Sequence, residues 1–210
     1  MRPKRLRLAV AFVTVLALGA VTADEGFQPL VKGTDPAQFD LVGFGPDTIK
    51  IAESGEITVS GKPNGYFATK QEYHNYVLRF DWMYERPADL ASDAAFDGNS
   101  GLLVHIQKPH KVWPQSIEVQ LENKNAGDIF AIFGSKFKGK KDPAAQKKAI
   151  KPVGQWNEEE VTCQDGAIVC KINGIEVARG TGGTPDEGYI GLQSEGRPIH
   201  FRNIAIKTLK

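Results

Sequence analysis

The chain has 210 residues, 41% of them hydrophobic and 24% charged, with 26 Lys+Arg against 25 Asp+Glu. That length suits one domain. The near-neutral balance excludes a general electrostatic pull on nucleic acid or anionic lipid.

In chain order, the first feature is an export signal. Arg2, Lys4, Arg5 and Arg7 form a basic head, residues 8–21 an apolar body, and Val21-Thr22-Ala23 offers small residues at the −3 and −1 positions. Cleavage is expected after Ala23. The apolar body is shorter than the about 20 residues a membrane span needs, and an uncleaved anchor is the alternative. Residues 24–210 then form a single exported domain, periplasmic or extracellular, with no membrane span. Without the signal its balance is 22 Lys+Arg to 25 Asp+Glu, which favours no nucleic-acid partner.

Beyond the signal, short β-branched and aromatic runs recur between turn residues. They cover 48–51, 56–59, 66–69, 76–83, 101–107, 117–122, 128–133, 160–164, 167–172, 174–178, 189–193 and 199–206. None keeps a 3.6-residue period over a helix length. Many short strands at such spacing predict an all-β antiparallel sandwich.

Parity along these strands sorts their faces. Tyr76, Leu78, Phe80 and Trp82 point one way, and Arg79 and Asp81 the other. Leu102, Val104 and Ile106 are expected in the core, with Leu103, His105 and Gln107 opposite. Ile117, Val119 and Leu121 alternate with Glu118, Gln120 and Glu122, and Ile190 and Leu192 with Gln193. A row of two carboxylates and an amide on a sheet requires water or a ligand over it, and a sugar suits such a groove. Solvated outer faces produce the same pattern. Phe201 and Ile204 cannot share a face in a regular strand, which predicts a bulge near Arg202-Asn203.

Three further stretches stand out. Residues 136–151 carry seven lysines and Pro143 and read as an exposed, mobile loop, with Phe137 alone in place of the interleaved aromatics that would make it a nucleic-acid site. His110 and Lys111, between Pro109 and Pro114, sit on a stiff loop at the expected rim, beside Trp113. Cys163 and Cys170 flank Asp165-Gly166, a hairpin-turn signal. A two-residue loop would pair 163 with 168 and 161 with 170, leaving the thiols diagonal; a one-residue slip would set them opposite. The sequence leaves a disulfide open.

Asn99-Ser100-Gly101, the run from His105-Ile106-Gln107 to Trp113-Pro114, and Ile117-Glu118-Val119-Gln120-Leu121 carry a family likeness. Pro152-Val153-Gly154-Gln155-Trp156-Asn157, Ile172-Asn173-Gly174, Gly191-Leu192-Gln193 and Phe201-Arg202-Asn203-Ile204 complete it in order. The chain resembles the 3-keto-disaccharide hydrolase domain family, the 3-keto-glucoside 1,2-lyases and 3-keto-2-hydroxy-glucal hydratases. The resemblance implies a concanavalin A-like jelly roll of two antiparallel sheets and a hydrolase or lyase acting on a carbohydrate substrate at a concave face. His105 departs from the Arg of longer members. The implied chemistry needs proton-transfer groups, for which Glu118, His105 and Asp81 are the candidates. Arg79, Gln107, Trp113, Gln120, Glu122 and Gln193 are candidates for holding the sugar. A carboxylate–imidazole cluster could also take a divalent metal; no nucleotide cofactor is implied. Two alternatives are a non-catalytic carbohydrate-binding module and retaining hydrolysis by the Glu-x-Gln-x-Glu row, which resembles the Glu-x-Asp-x-Glu strand of laminarinase-type enzymes but with Gln120 in the centre.

Overall fold

The computed structural model describes residues 26–210; the export signal and its cleavage after Ala23 lie outside the described residues. In chain order the strands begin with β1 (Gln28–Pro29), β2 (Asp40–Val42), β3 (Ile49–Ile51), β4 (Ile57–Val59) and β5 (Gly65–Ala68). Then come β6 (Tyr76–Tyr84), β7 (Gly101–Ile106), β8 (Ser116–Gln120), β9 (Ile129–Ile132) and β10 (Lys136–Lys141). After helix α1 (Pro143–Ala149) follow β11 (Asn157–Gln164), β12 (Ala167–Ile172), β13 (Ile175–Thr184), β14 (Tyr189–Ser194) and β15 (Ile199–Thr208).

Every pairing among these strands is antiparallel, and they build two sheets. The larger runs β10-β13-β12-β11-β6-β15-β4-β3, with β1 joined to β15; the smaller runs β2-β5-β14-β7-β8-β9. Alternation drives the stack. Leu78, Phe80 and Trp82 of β6 meet Leu102, Val104, Ile117, Val119 and Leu192 of the smaller sheet in one core. Burying two apolar faces against each other leaves the outer face of each sheet for other uses.

The bulge expected near Arg202-Asn203 is present. Register with β6 shifts between Arg202 and Ala205, and Asn203 takes φ +54°, so Phe201 and Ile204 both reach the core. The Asp165-Gly166 turn has positive φ at both residues (50° and 72°) and pairs Cys163 with Ile168 and Val161 with Cys170. The thiols are therefore diagonal, free and buried.

Residues 136–151 are not a mobile loop. β10 pairs with β13 at the sheet edge, where lysines guard an open ladder. The Asp142 carboxylate then accepts from the Ala144 and Ala145 amides at 3.0 Å each, and Pro143 opens α1. The helix is two turns long and buries only Gln146 and Ala149, too little for a periodic signal to show in the sequence. No helix among the described residues is long and apolar enough to cross a membrane.

Candidate functional site

The outer face of the smaller sheet carries a group of buried polar atoms that lack partners; Tyr76 Oη and both ring nitrogens of His105, inside the sandwich, and Ser135 Oγ lack them too. On β8, Ile117 and Val119 enter the core while Glu118 takes the opposite face at only 5% exposure. Leu103 of β7 flanks it across one ladder and Phe130 of β9 across the other. Room for the carboxyl comes from Gly101: a Cβ there would lie 2.4 Å from Gln193 Oε1 and 2.6 Å from Glu118 Oε1. Burial pushes the Glu118 carboxyl up to about 7, and the Glu195 charge adds to the rise, while contact with Gln193 opposes it. Glu195 is itself raised by its partial burial, against a hydrogen bond from Asn99, with Glu122 adding to the rise. Glu118 thus sits near half-protonation at neutral pH, where a group that both gives and takes protons works best.

Along the row from Glu118 lie Gln193 and then Tyr66, its pairing partner on β5. Residues 107–115, between β7 and β8, fold over this end. A Cβ on Gly43, beside β2, would come within 2.8 Å of Val112 Cγ2. His110 packs edge-on against Tyr189 at 4.9 Å and Tyr66 at 6.3 Å, with its Nδ1 3.9 Å from Asp40. Burial pulls His110 below the ordinary histidine range, Asp40 opposing and Lys108 adding. Burial also raises the Tyr66 phenol, and nearby Asp40 adds to it, so the group stays a neutral donor. Tyr66 Oη, His110 Nε2, Asn99 Oδ1 and both amide atoms of Gln193 are buried without a hydrogen-bond partner of good geometry. Buried polar atoms are rarely left so. Five such atoms gather on this one face.

The sequence-predicted residues divide. Glu118, Gln120 and Gln193 share this face. Glu122 lies just past the end of β8, its backbone amide donating to Gln120 Oε1 at 2.8 Å and its carboxylate accepting from Asn125, so the expected Glu-x-Gln-x-Glu row is cut short. Trp113 stands on the 107–115 loop, 36% exposed. Gln107 is not turned to the groove: its amide donates to the carbonyls of His105 and Glu187 and ties two chain segments together.

His105 is the main correction. Tyr189 pairs with Ile106 but Gly191 with Leu103, so β7 carries one residue too many for β14, and His105 takes φ +56°. The bulge sends Ile106 to the outer face beside Leu103 and Tyr66 and turns His105 inward. Its ring stands 6.1 Å from that of Tyr76, 1% exposed, and burial pulls it down to about 4. The ring is a neutral core group at physiological pH.

Arg79 and Asp81 are the second correction. They lie on the outer face of the other sheet, because β6 gives its inner face to the core. Arg79 donates to Glu160 at 2.8 Å, and Asp81 accepts from Arg202 at 2.9 Å and Asn203 at 2.8 Å. The thickness of the sandwich separates them from Glu118.

Sequence reasoning passed over Tyr66 and Glu195, and it ranked His110 below His105. Tyr66 reads from sequence as one more strand aromatic, and no local signal distinguishes it. His110 had a signal, its place between two prolines on a stiff loop. Among the described residues no three His, Cys, Asp or Glu side chains are grouped to hold a metal ion.

Comparison with known proteins agrees with this fold. The chain superposes on a candidate glycosyl hydrolase from Parabacteroides distasonis ATCC 8503 with a TM-score of 0.64 and 21% identity, covering 89% of this chain and 95% of that one. A carbohydrate binding module from Bacillus subtilis gives 0.60 at 12% identity over 81% and 96%. A Bacillus subtilis protein with a galectin-like fold gives 0.57 at 11% over 87% and 94%. These likenesses establish a concanavalin A-like jelly roll. No curated protein sequence matches the chain. Residues 26–207 match the sequence family described as the 3-keto-alpha-glucoside-1,2-lyase-like domain, and the chain belongs to that family.

Proposed function

We propose that the protein cleaves 3-keto-glycosides by elimination and hydration on the outer face of the smaller sheet, with Glu118 as the proton-transfer group. One observation carries the reading: a buried carboxyl held up to about 7 borders a row of buried polar atoms without partners. Family membership supports the substrate class.

The chemistry follows from the ketone. It acidifies the hydrogen on carbon 2, which Glu118 as carboxylate takes, and the electron pair passes into an enolate. The enolate re-forms the ketone as the bond from carbon 1 to the glycosidic oxygen breaks, and that oxygen leaves with the proton that Glu118 took, which returns Glu118 to the carboxylate. Water then adds across the new carbon 1–carbon 2 double bond, hydroxyl to carbon 1 and hydrogen to carbon 2. Tyr66 Oη and the Gln193 amide are donors for the sugar oxygens, including the one that becomes the enolate. Burial, with the Glu195 charge adding to it, keeps Glu118 near the pH at which it can serve both steps.

The test is to incubate purified protein with 3-keto-trehalose and simple 3-keto-glucosides beside their unoxidised parents. Only the keto sugars should release glucose or aglycone. Glu118→Gln keeps the shape and removes the ionisable group, so turnover should fall about 100-fold or more with the melting temperature nearly unchanged. A chelator arm separates protein donors from a divalent ion as the enolate's partner. Full activity in Glu118→Gln would overturn the assignment, and glycan binding without turnover would make the domain a binding module.

A further inference from the structure

The large hydrophobic side chains exposed among the described residues are Trp113, Phe130 and Phe133, at 36%, 37% and 67%. They are not scattered. Phe130 lies directly across the ladder from Glu118, on β9, the last strand of the smaller sheet. Its neighbour Ile129 is in the core, so Phe130 faces the same side as Glu118. Ser116 pairs with Ile132, which brings the start of β8, just after the Trp113 loop, next to the end of β9, where Phe133 begins the turn into β10. Phe130 thus shares the outer face with Glu118, and the segments that carry Trp113 and Phe133 meet at one end of that sheet. β10 pairs into the other sheet and only passes alongside β9, where a Cβ on Gly139 would lie 2.6 Å from the Ile129 carbonyl oxygen, so β9 has no ladder partner beyond β8 and Phe130 stays 37% exposed.

From this juxtaposition we infer that Phe130, with Trp113 and Phe133 beyond it, forms the subsite for the leaving group, and that it selects leaving groups with an apolar ring face. Such a face belongs to a second pyranose, whose axial hydrogens project from one side, or to an aryl aglycone. Both stack on an exposed aromatic side chain. The inference rests on Glu118 marking the reacting centre, and it assigns the direction in which the substrate extends from it.

The experiment compares wild type and Phe130→Ala on three 3-keto-glucosides whose leaving groups are glucose, phenol and methanol. Binding of the unoxidised phenyl and methyl glucosides is measured in parallel by calorimetry. Phe130→Ala should raise KM for the phenyl and disaccharide substrates roughly three- to tenfold, the range of one aromatic contact, and leave the methyl substrate unchanged. Phe130→Tyr should restore the wild-type values. A rise for phenyl alone assigns the surface to aryl leaving groups, and a rise for both to rings in general. Equal effects on all three substrates, or none, would overturn the subsite. If no keto sugar is cleaved but phenyl glucoside binds more tightly than methyl in a Phe130-dependent way, the subsite stands and the reaction assignment falls. If wild type prefers neither ring nor methyl ligands, the subsite falls.

Discussion

Glu159 is a carboxyl wholly inside the sandwich. Trp82 Nε1 donates to it at 2.8 Å and Cys170 Sγ lies 3.6 Å away, yet burial outweighs both and pushes it up to about 8. The folded chain holds this proton more tightly than the unfolded one, whose carboxyls titrate at about 4.3. Its contribution to stability is therefore complete below the unfolded value and is lost as pH rises through about 8. Glu159→Gln keeps an acceptor for Trp82 and cannot ionise. Its melting temperature relative to wild type should climb between pH 5 and pH 9, by several degrees at about 2–4 °C per kcal/mol; parallel curves would contradict this. His105 has the opposite sign. Burial pulls it down to about 4, with Asp186 opposing and His74 adding, and Tyr76 covers the ring. Its stabilising contribution is present above the unfolded histidine value and is lost as pH falls through about 4. His105→Ala should cost about 2–4 kcal/mol at neutral pH through the cavity it leaves, with a smaller further loss on acidification than wild type shows. A selective fall in turnover at unchanged melting temperature would instead restore His105 to the site.

Among the elements, β7 and β8 shape the candidate site. Gly101 leaves the volume that Glu118 and Gln193 fill, so Gly101→Ala should keep the fold but displace both side chains. Turnover is expected to drop tenfold or more, since misplacement of about 1 Å can cost 100-fold, while circular dichroism stays β-rich. Wild-type turnover in Gly101→Ala would show that the site tolerates the shift. The two bulges show what a strand sequence reveals. At Arg202-Asn203, Phe201 and Ile204 break the alternation visibly, because polar residues separate them. In β7, Leu102 to Val104 and Ile106 are apolar on either parity, so the extra residue at His105 leaves no trace in the pattern. The Asp165-Gly166 hairpin was legible for a local reason, since both residues accept positive φ and a two-residue turn sets the register. α1 was not, because an Asp N-cap and two turns of alanine, glutamine and lysine look like loop until β13 gives the helix a floor.

For the whole molecule, the free thiols and the export signal yield two further checks. Cys163 and Cys170 are buried, and burial raises the Cys163 thiol to about 12, so neither presents a thiolate. Alkylation without reductant should add nothing to the native protein and two groups to the denatured one; no labelling in denaturant would reveal a disulfide. We propose that the protein is exported, and its mature N-terminus should then read Asp24 in a periplasmic or culture fraction, whereas an intact Met1 in cytosol would contradict it. By itself the sequence determined the all-β class, the antiparallel sandwich, the family and the outward face of Glu118 and Gln193, because alternation, turn chemistry and motif order are properties of neighbours along the chain. Only the tertiary structure decided which polar rows meet. Arg79 and Asp81 share the parity of Glu118 on paper, but they belong to the other sheet, since strand parity names a face without naming the sheet. Tyr66, His110 and Glu195 join Glu118 through strand order and a loop folded across the face, and the contacts of Tyr66 and Glu195, which span about a quarter to a third of the chain, leave no local mark on the residues that make them.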